Sequence, residues 1–294
     1  MGRVSQAFPR ALSPSRANDF QTCPLLFRLR SIDRLPEPPS AAAVRGTLVH
    51  EVLERMFDLP AAARSIDATR TLVSEAWLRL SAADEQAAES LLVDAKLDPA
   101  AASAAHYAEA MVDRIEPLLQ TYFALEDPSR LEPHAREVAI SVEIAEGFQI
   151  RGFIDRVDKA PAGQIRIVDY KTGRAPRAGF ESKPMFQMRF YALAWWRLTG
   201  EIPAMLQLLY LGSNEALRYE PEEQDLLNTE QKILSIRARI QSAAVEGFLP
   251  TPSKLCSWCS YQALCPAYGG TTPELPDMDS WESVAFESAR LEEA

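Results

Sequence analysis

The sequence predicts a mixed α/β fold in which a strand meander is flanked by helices. Three observations predict it. Apolar residues recur at helical spacing as far as Tyr122, the period switches to two at Glu137, and helical spacing returns after Lys183 on either side of one further strand. With 294 residues, 47% of them hydrophobic, the chain can bury the core of one large domain.

Ser13-Pro14 starts the first helix, Ser as N-cap and Pro at the first helical position, and Ala17, Phe20, Leu25 and Leu29 give it a loose apolar face. Cys23 falls within this helix or just after it. A Pro-rich connection over 35–40 leads to a second helix, on which Val44, Leu48, Val52, Leu53, Met56 and Phe57 form the stripe. His50 flanks that stripe, and Gly46 one turn earlier leaves space beneath it. Residues 60–130 read as an all-helical insertion, with Ala68, Leu72, Val73, Ala76, Trp77 and Leu80 on one helix and Tyr107, Met111, Ile115, Leu118, Leu119 and Tyr122 on another. This segment is rich in Ala and holds neither a catalytic constellation nor a repeat. Val138, Ile140, Val142 and Ile144 then alternate with Glu137, Ala139, Ser141 and Glu143, the pattern of a half-buried antiparallel strand. Residues 149–157 and 164–170 continue the meander around a turn at 160–163. An amphipathic helix over 183–199, a strand over 204–211, a helix over 221–247 and a cysteine loop complete the order.

The charge balance, 31 Lys and Arg against 41 Asp and Glu, is −10 and on average disfavours a nucleic-acid partner. Its distribution does not: residues 151–197 hold ten basic and four acidic residues (+6), whereas 271–294 hold one basic and seven acidic (−6). A basic middle with an acidic tail suits an anionic substrate bound centrally. No run of 18 apolar residues and no signal-peptide pattern is present, so a cytoplasmic protein without a membrane partner is expected.

On the third meander strand, Ile165, Ile167, Asp169 and Lys171 share a face by parity, which makes a carboxylate and an ammonium neighbours at the strand end. Asp155, near the end of the preceding strand, joins them if the meander pairs regularly; Asp158 has the opposite parity and is expected in the turn. Two carboxylates, an imidazole and a lysine suit a hard divalent ion, Mg2+ or Mn2+, together with an activated water. Phosphodiester hydrolysis needs that set. An isolated D-x-K is more often a solvated ion pair; here a strand ending in Asp and a helical His accompany it.

Cys256, Cys259 and Cys265 form C-x2-C-x5-C, and with Cys23 they make four thiols in a chain expected to be cytoplasmic, which points to ligation rather than disulfides. Spacing leaves a 4Fe-4S cluster and structural zinc both open.

The ordered segments LSPSRANDFQTCPLLFRLR, RGTLVHEVLERMF, RGFIDRVD, IVDYKTG, FQMRFYALA and CSWCSYQALC resemble the RecB-like branch of the PD-(D/E)XK nuclease superfamily in its iron-sulfur-containing form, over residues 12–268. The resemblance implies an α/β, restriction-endonuclease-like core, a mixed sheet flanked by helices, with an all-helical insertion and a C-terminal cysteine cluster. On that plan residues 1–59 and 131–270 form the nuclease core with its iron-sulfur loop, 60–130 the insertion, and 271–294 an acidic, flexible tail. It implies His50, Asp155, Asp169 and the backbone carbonyl of Tyr170 as ligands of Mg2+ or Mn2+, with Lys171 acting on the water or the phosphate. Gln187 and Tyr191, four apart on one helical face, match the family's Q-x-x-x-Y beside the active site. Asp169 stands where many relatives carry Glu. For Cys23, Cys256, Cys259 and Cys265 the resemblance favours a 4Fe-4S cluster.

The expected activity is therefore that of a metal-dependent DNA nuclease, an exonuclease of recombination and repair. The chain holds no G-x-x-x-x-G-K-[ST], so helicase activity would come from a separate subunit. A CRISPR-associated adaptation nuclease of the same superfamily is the alternative within the enzyme class, and a catalytically silent DNA-end-binding scaffold the alternative outside it. Retention of His50, Asp155, Asp169, Lys171, Gln187 and Tyr191 argues against the silent form.

Overall fold

In a computed structural model, residues 9–177 and 182–276 are described; the greater part of the expected acidic tail, 277–294, lies outside them. A short strand β1 (Ala11–Leu12) precedes α1 (Pro14–Thr22) and α2 (Pro24–Phe27). Ser13 caps α1 by accepting from the Arg16 amide, Pro14 occupies the first turn, and Cys23 is at once the C-cap of α1 and the N-cap of α2. Then follow α3 (Ala41–Met56), α4 (Ile66–Ala83), α5 (Glu85–Asp94) and α6 (Ala108–Leu125), each of the first three capped by a Ser or Asp side chain. The meander is β2 (Ala135–Ala145), β3 (Phe148–Lys159) and β4 (Ile165–Lys171), after which come α7 (Ser182–Thr199), β5 (Met205–Tyr210), β6 (Glu215–Tyr219) and α8 (Glu223–Glu246).

These strands form one mixed sheet in the order β1-β3-β4-β5-β6, with β2 also paired to β3. β2–β3, β3–β4 and β5–β6 are antiparallel; β4–β5 and β1–β3 are parallel. The helix α7 is thus the crossover between parallel β4 and β5. On one face of the sheet α1, α7 and α8 bury Ile150, Ile154, Val157, Ile165, Ile167, Leu206 and Leu208. On the other, α3 to α6 share a second core with Val168, Tyr170, Leu209 and Leu211. The helices of residues 60–130 therefore complete the second layer of the sandwich.

Within this second layer Arg156 is fully buried. It donates to the hydroxyls of Tyr170 (2.8 Å) and Tyr122 (3.3 Å) and pairs with Glu126 (2.7 Å) and Asp158 (3.0 Å). Asp158 is not in the turn as expected: β3 runs on to Lys159, so Asp158 lies opposite Arg166 and is paired with it at 2.7 Å. The edge strand β6 was not foreseen. Glu215–Tyr219 has no buried residue, being half-exposed or exposed along its length, and lacks the alternation that marks the other strands.

Candidate active site

The site is built where β3 and β4 part. Arg156 pairs with Val168 in register, which sets Asp155 opposite Asp169, and there the Asp155 carboxylate accepts the Tyr170 amide at 2.7 Å. Both β2 and β3 distort at this level. Ile154 and Val157 join the same core although their parity differs, so the pleat slips between them. Glu137, opposite Asp155, takes a left-handed φ of 45° in mid-strand while pairing continues on both sides. A non-glycine residue there is strained, and the strain re-aims the Glu137 side chain toward Asp155.

From α3, His50 arrives beside these carboxylates. Its Nε2 lies 3.0 Å from the Tyr170 carbonyl oxygen, and its Nδ1 3.5 Å from Asp155 Oδ2. A carbonyl can only accept, so Nε2 carries the proton and Nδ1 turns its lone pair toward the carboxylate. Burial above all holds the imidazole's pKa below its ordinary value, which keeps it neutral and able to ligate. Gly46 sits one turn earlier, where an added Cβ would stand 3.7 Å from Thr172 Oγ1; α3 therefore lies close against the chain just after Lys171.

Ligating atoms of His50, Glu137 and Asp155 lie within 4.8 Å of one another, the spacing of a metal site. Burial, followed by the charge of Asp169, pushes the Asp155 carboxyl well above the usual carboxylate range. Burial, then the charges of Glu54 and Asp169, pushes Glu137 up to about 7. Carboxylates gathered in this way repel each other, and a divalent cation relieves the repulsion. The donor set, oxygen with one neutral imidazole, fits Mg2+ or Mn2+. Glu137 escaped sequence reasoning because it reads as the solvent side of an alternating strand.

Asp169, 2% exposed, faces a different set of partners. Its Oδ2 pairs with Lys171 Nζ at 2.6 Å and its Oδ1 accepts from Gln187 Nε2 at 2.9 Å. Lys171 in turn donates to Gln187 Oε1 at 3.0 Å, and Gln187 Nε2 lies 3.2 Å from the Tyr191 hydroxyl. The amide of Gln187 thus bridges the carboxylate and the ammonium. Burial raises the pKa of Tyr191, so its hydroxyl stays protonated. Tyr191 packs against Gly152, where an added Cβ would stand 2.7 Å from Cε1. Asp155, Asp169, Lys171, Gln187, Tyr191, His50 and the Tyr170 carbonyl are therefore in one neighbourhood, with the Tyr170 carbonyl meeting His50.

The four cysteines converge elsewhere. Cys23 and the loop carrying Cys256, Cys259 and Cys265 line a single apolar recess with Leu25 and Leu29, none of them in a disulfide. Cys23 Sγ accepts from the Thr251 amide (3.4 Å) and Cys256 Sγ from the Ser253 amide (3.2 Å). The Ser253 amide first, then the Tyr268 hydroxyl, lower the Cys256 pKa. Amides directed at sulfur favour thiolates, so the donor set fits a thiolate-bound metal group.

A family model of the PD-(D/E)XK nuclease superfamily matches residues 11–266. The chain belongs to that superfamily. The chain is also 32% identical over 141 residues to "Gene 69 protein" of Mycobacterium phage L5, an alignment covering 46% of this chain and 45% of the phage protein. The aligned part is thus about half the length of that relative. Among solved structures, "putative exonuclease" from Eubacterium rectale superposes with a TM-score of 0.44 at 13% identity, covering 89% of this chain and 93% of that one. Among the described residues no helix is long and apolar enough to cross a membrane.

Proposed function

We propose that the chain is a divalent-metal-dependent deoxyribonuclease, an exonuclease of DNA recombination and repair that acts in the cytoplasm. The observation that carries the reading is the pair of adjoining clusters: His50, Glu137 and Asp155 at ligating distance, and Asp169, Lys171 and Gln187 hydrogen-bonded beside them. A Mg2+ or Mn2+ ion bound there would polarise the phosphodiester and acidify the attacking water.

The chain's own groups have separable tasks. Asp155, Asp169 and His50, with Glu137, would hold the cation; the Tyr170 carbonyl, expected among the ligands, instead accepts from His50 Nε2–H and so fixes the imidazole tautomer with Nδ1 toward the carboxylates. The Lys171 ammonium is held by Asp169 and Gln187, where it can meet the water or the negative charge that builds on the phosphate. Gln187 orients Lys171, and Tyr191 offers a protonated hydroxyl beside it. Cys23, Cys256, Cys259 and Cys265 hold a 4Fe-4S cluster that closes the fold, and unwinding of duplex is left to a separate helicase subunit.

The test is anaerobic purification followed by digestion of end-labelled linear and covalently closed DNA with Mg2+ or Mn2+. Progressive release from linear ends, absent with chelator and absent on closed circles, is expected. Equal cutting of closed circles would make the enzyme an endonuclease, and inertness with either metal would overturn the nuclease reading.

A further inference from the structure

Tyr170 has its main chain in the candidate site and its side chain in the helical layer. Its amide donates to Asp155 Oδ2 at 2.7 Å and its carbonyl accepts from His50 Nε2 at 3.0 Å. One residue thus touches two of the three groups at ligating distance. Its ring also meets the His50 imidazole edge-on, the centroids 5.8 Å apart. At the far end of that ring the hydroxyl accepts from Arg156 at 2.8 Å.

Arg156 makes this hydroxyl a fixed point. Its guanidinium lies 5.6 Å from the ring centroids of both Tyr170 and Phe57, and Phe57 is the C-cap of α3, the helix that carries His50. The guanidinium is itself held from α6. Glu126 pairs with it at 2.7 Å, and Tyr122, whose ring crosses that of Tyr170 at 5.9 Å, accepts a further bond. A planar fork of this kind fixes direction as well as distance, which a lysine ammonium does not. Burying such a charge is an inefficient source of stability, because an apolar side chain of like volume fills the same space without desolvation cost. What the network supplies is a defined position for the Tyr170 ring.

We infer that Arg156 is a positioning residue of the candidate metal site: Glu126 and Tyr122 aim its guanidinium, the guanidinium sets the Tyr170 hydroxyl, and Tyr170 passes that setting to His50 and Asp155 through its main chain. This rests on the metal site of the proposed function. It also gives residues 60–130 a part in that site. α6 belongs to this segment, which places no side chain on the cation and reaches the ligands through Arg156 instead. Metal ligation holds its distances to within about 0.2 Å, so a small displacement of the Tyr170 main chain is felt in affinity.

The test uses the full chain with Arg156→Lys, which keeps a cation for Glu126 and loses the fork, and Glu126→Gln, which keeps the shape and loses the charge. Neither side chain is bonded to His50, Glu137 or Asp155. Isothermal titration with Mn2+, below the Tm of each variant, should show affinity reduced about tenfold in both, the lower end for groups that orient a ligand. In a His50→Ala background the same substitutions should cost less than about threefold, because much of their effect runs through the missing imidazole. A readout without metal accompanies this. In protein labelled with 15N-histidine, both variants should shift the His50 ring nitrogens and leave those of His106 and His134 in place. Wild-type Mn2+ affinity in both variants, a loss of equal size with and without His50, or unmoved His50 resonances overturns the inference, whatever happens to Tm. No DNA enters these measurements. A wild type that shows the coupling but cleaves nothing in Mg2+ or Mn2+ would therefore sink the nuclease reading and leave the positioning role standing.

Discussion

At the scale of single residues, the proposed function divides the site into groups that would hold a cation and groups that would meet the phosphate, and substitutions should separate them. Lys171→Ala is expected to lower kcat by about 10²–10⁴-fold with little change in Mn2+ affinity, since its ammonium is bound by Asp169 and Gln187. Asp155→Asn should abolish cleavage and weaken Mn2+ binding as well, and His50→Ala should do so less severely because water can replace one lost ligand. Isothermal titration with Mn2+ beside single-turnover cleavage checks both; a Lys171→Ala enzyme of wild-type rate would remove that residue from the chemistry. Glu137 gives a pH signature. Its carboxyl is raised to about 7 from the usual 4.5, so the folded protein holds this proton more tightly than the unfolded chain does. The stability it contributes is complete below about 4.5 and declines as pH rises toward 7, where the buried carboxylate must ionise beside Asp155. In chelator-treated protein, Tm should therefore fall across that interval, Glu137→Gln should flatten the fall, and Mn2+ should restore Tm most strongly at the upper end. A Glu137→Gln profile parallel to wild type would refute the assignment.

At the scale of elements, one close approach ties the sheet to α7. Gly152 lies under the ring of Tyr191, and a methyl group there would sit 2.7 Å from Cε1. Gly152→Ala should destabilise the protein by about 1–3 kcal/mol, the range for overpacking, and displace the ring from Gln187. Adding Tyr191→Leu should recover stability without recovering activity; urea denaturation and cleavage assays read the two effects apart, and additive stability losses would show that the contact is not shared. The same elements show what a sequence makes legible. The strand ending in Asp169 and Lys171 and the helix with Gln187 and Tyr191 were readable because each places its polar residues on an otherwise apolar face. Glu137 was not, because its position depends on a backbone distortion opposite Asp155 that no side-chain pattern announces. Asp158 was misread as a turn residue because its partners, Arg156 and Arg166, come from two strands and are adjacent only once the register is known. β6 was missed for want of alternation: an edge strand has one neighbour and little to bury.

At the scale of the whole molecule, the two ends of the described chain are joined in a recess of their own, lined by none of the candidate-site residues. Cys23 follows α1, and 232 residues intervene before Cys256. A crosslink of that span restricts the unfolded chain by about 5 kcal/mol in the chain-entropy account. The polypeptide alone supplies a weaker version: Leu25, Leu29 and Tyr261 make a small core of their own, and the Tyr261 hydroxyl donates to the Leu35 carbonyl at 2.8 Å. These contacts, together with the Thr251 amide on Cys23 Sγ and the stack of Phe27 on Phe248, are weaker than the proposed ligation by four thiolates, so the joint should depend on the proposed metal group. Cys23→Ser and Cys256→Ser should each give protein that is colourless, thermally weakened and readily cleaved by protease near the 254–268 loop. The same variants should keep wild-type Mn2+ affinity at temperatures where they remain folded, because no cysteine touches His50, Glu137 or Asp155. Iron and sulfide analysis of anaerobically prepared wild type decides the group's chemistry. Stoichiometric zinc without iron would replace the cluster and leave the joint intact, whereas cysteine variants with wild-type Tm would mean that the small core around Tyr261 holds the two ends together unaided.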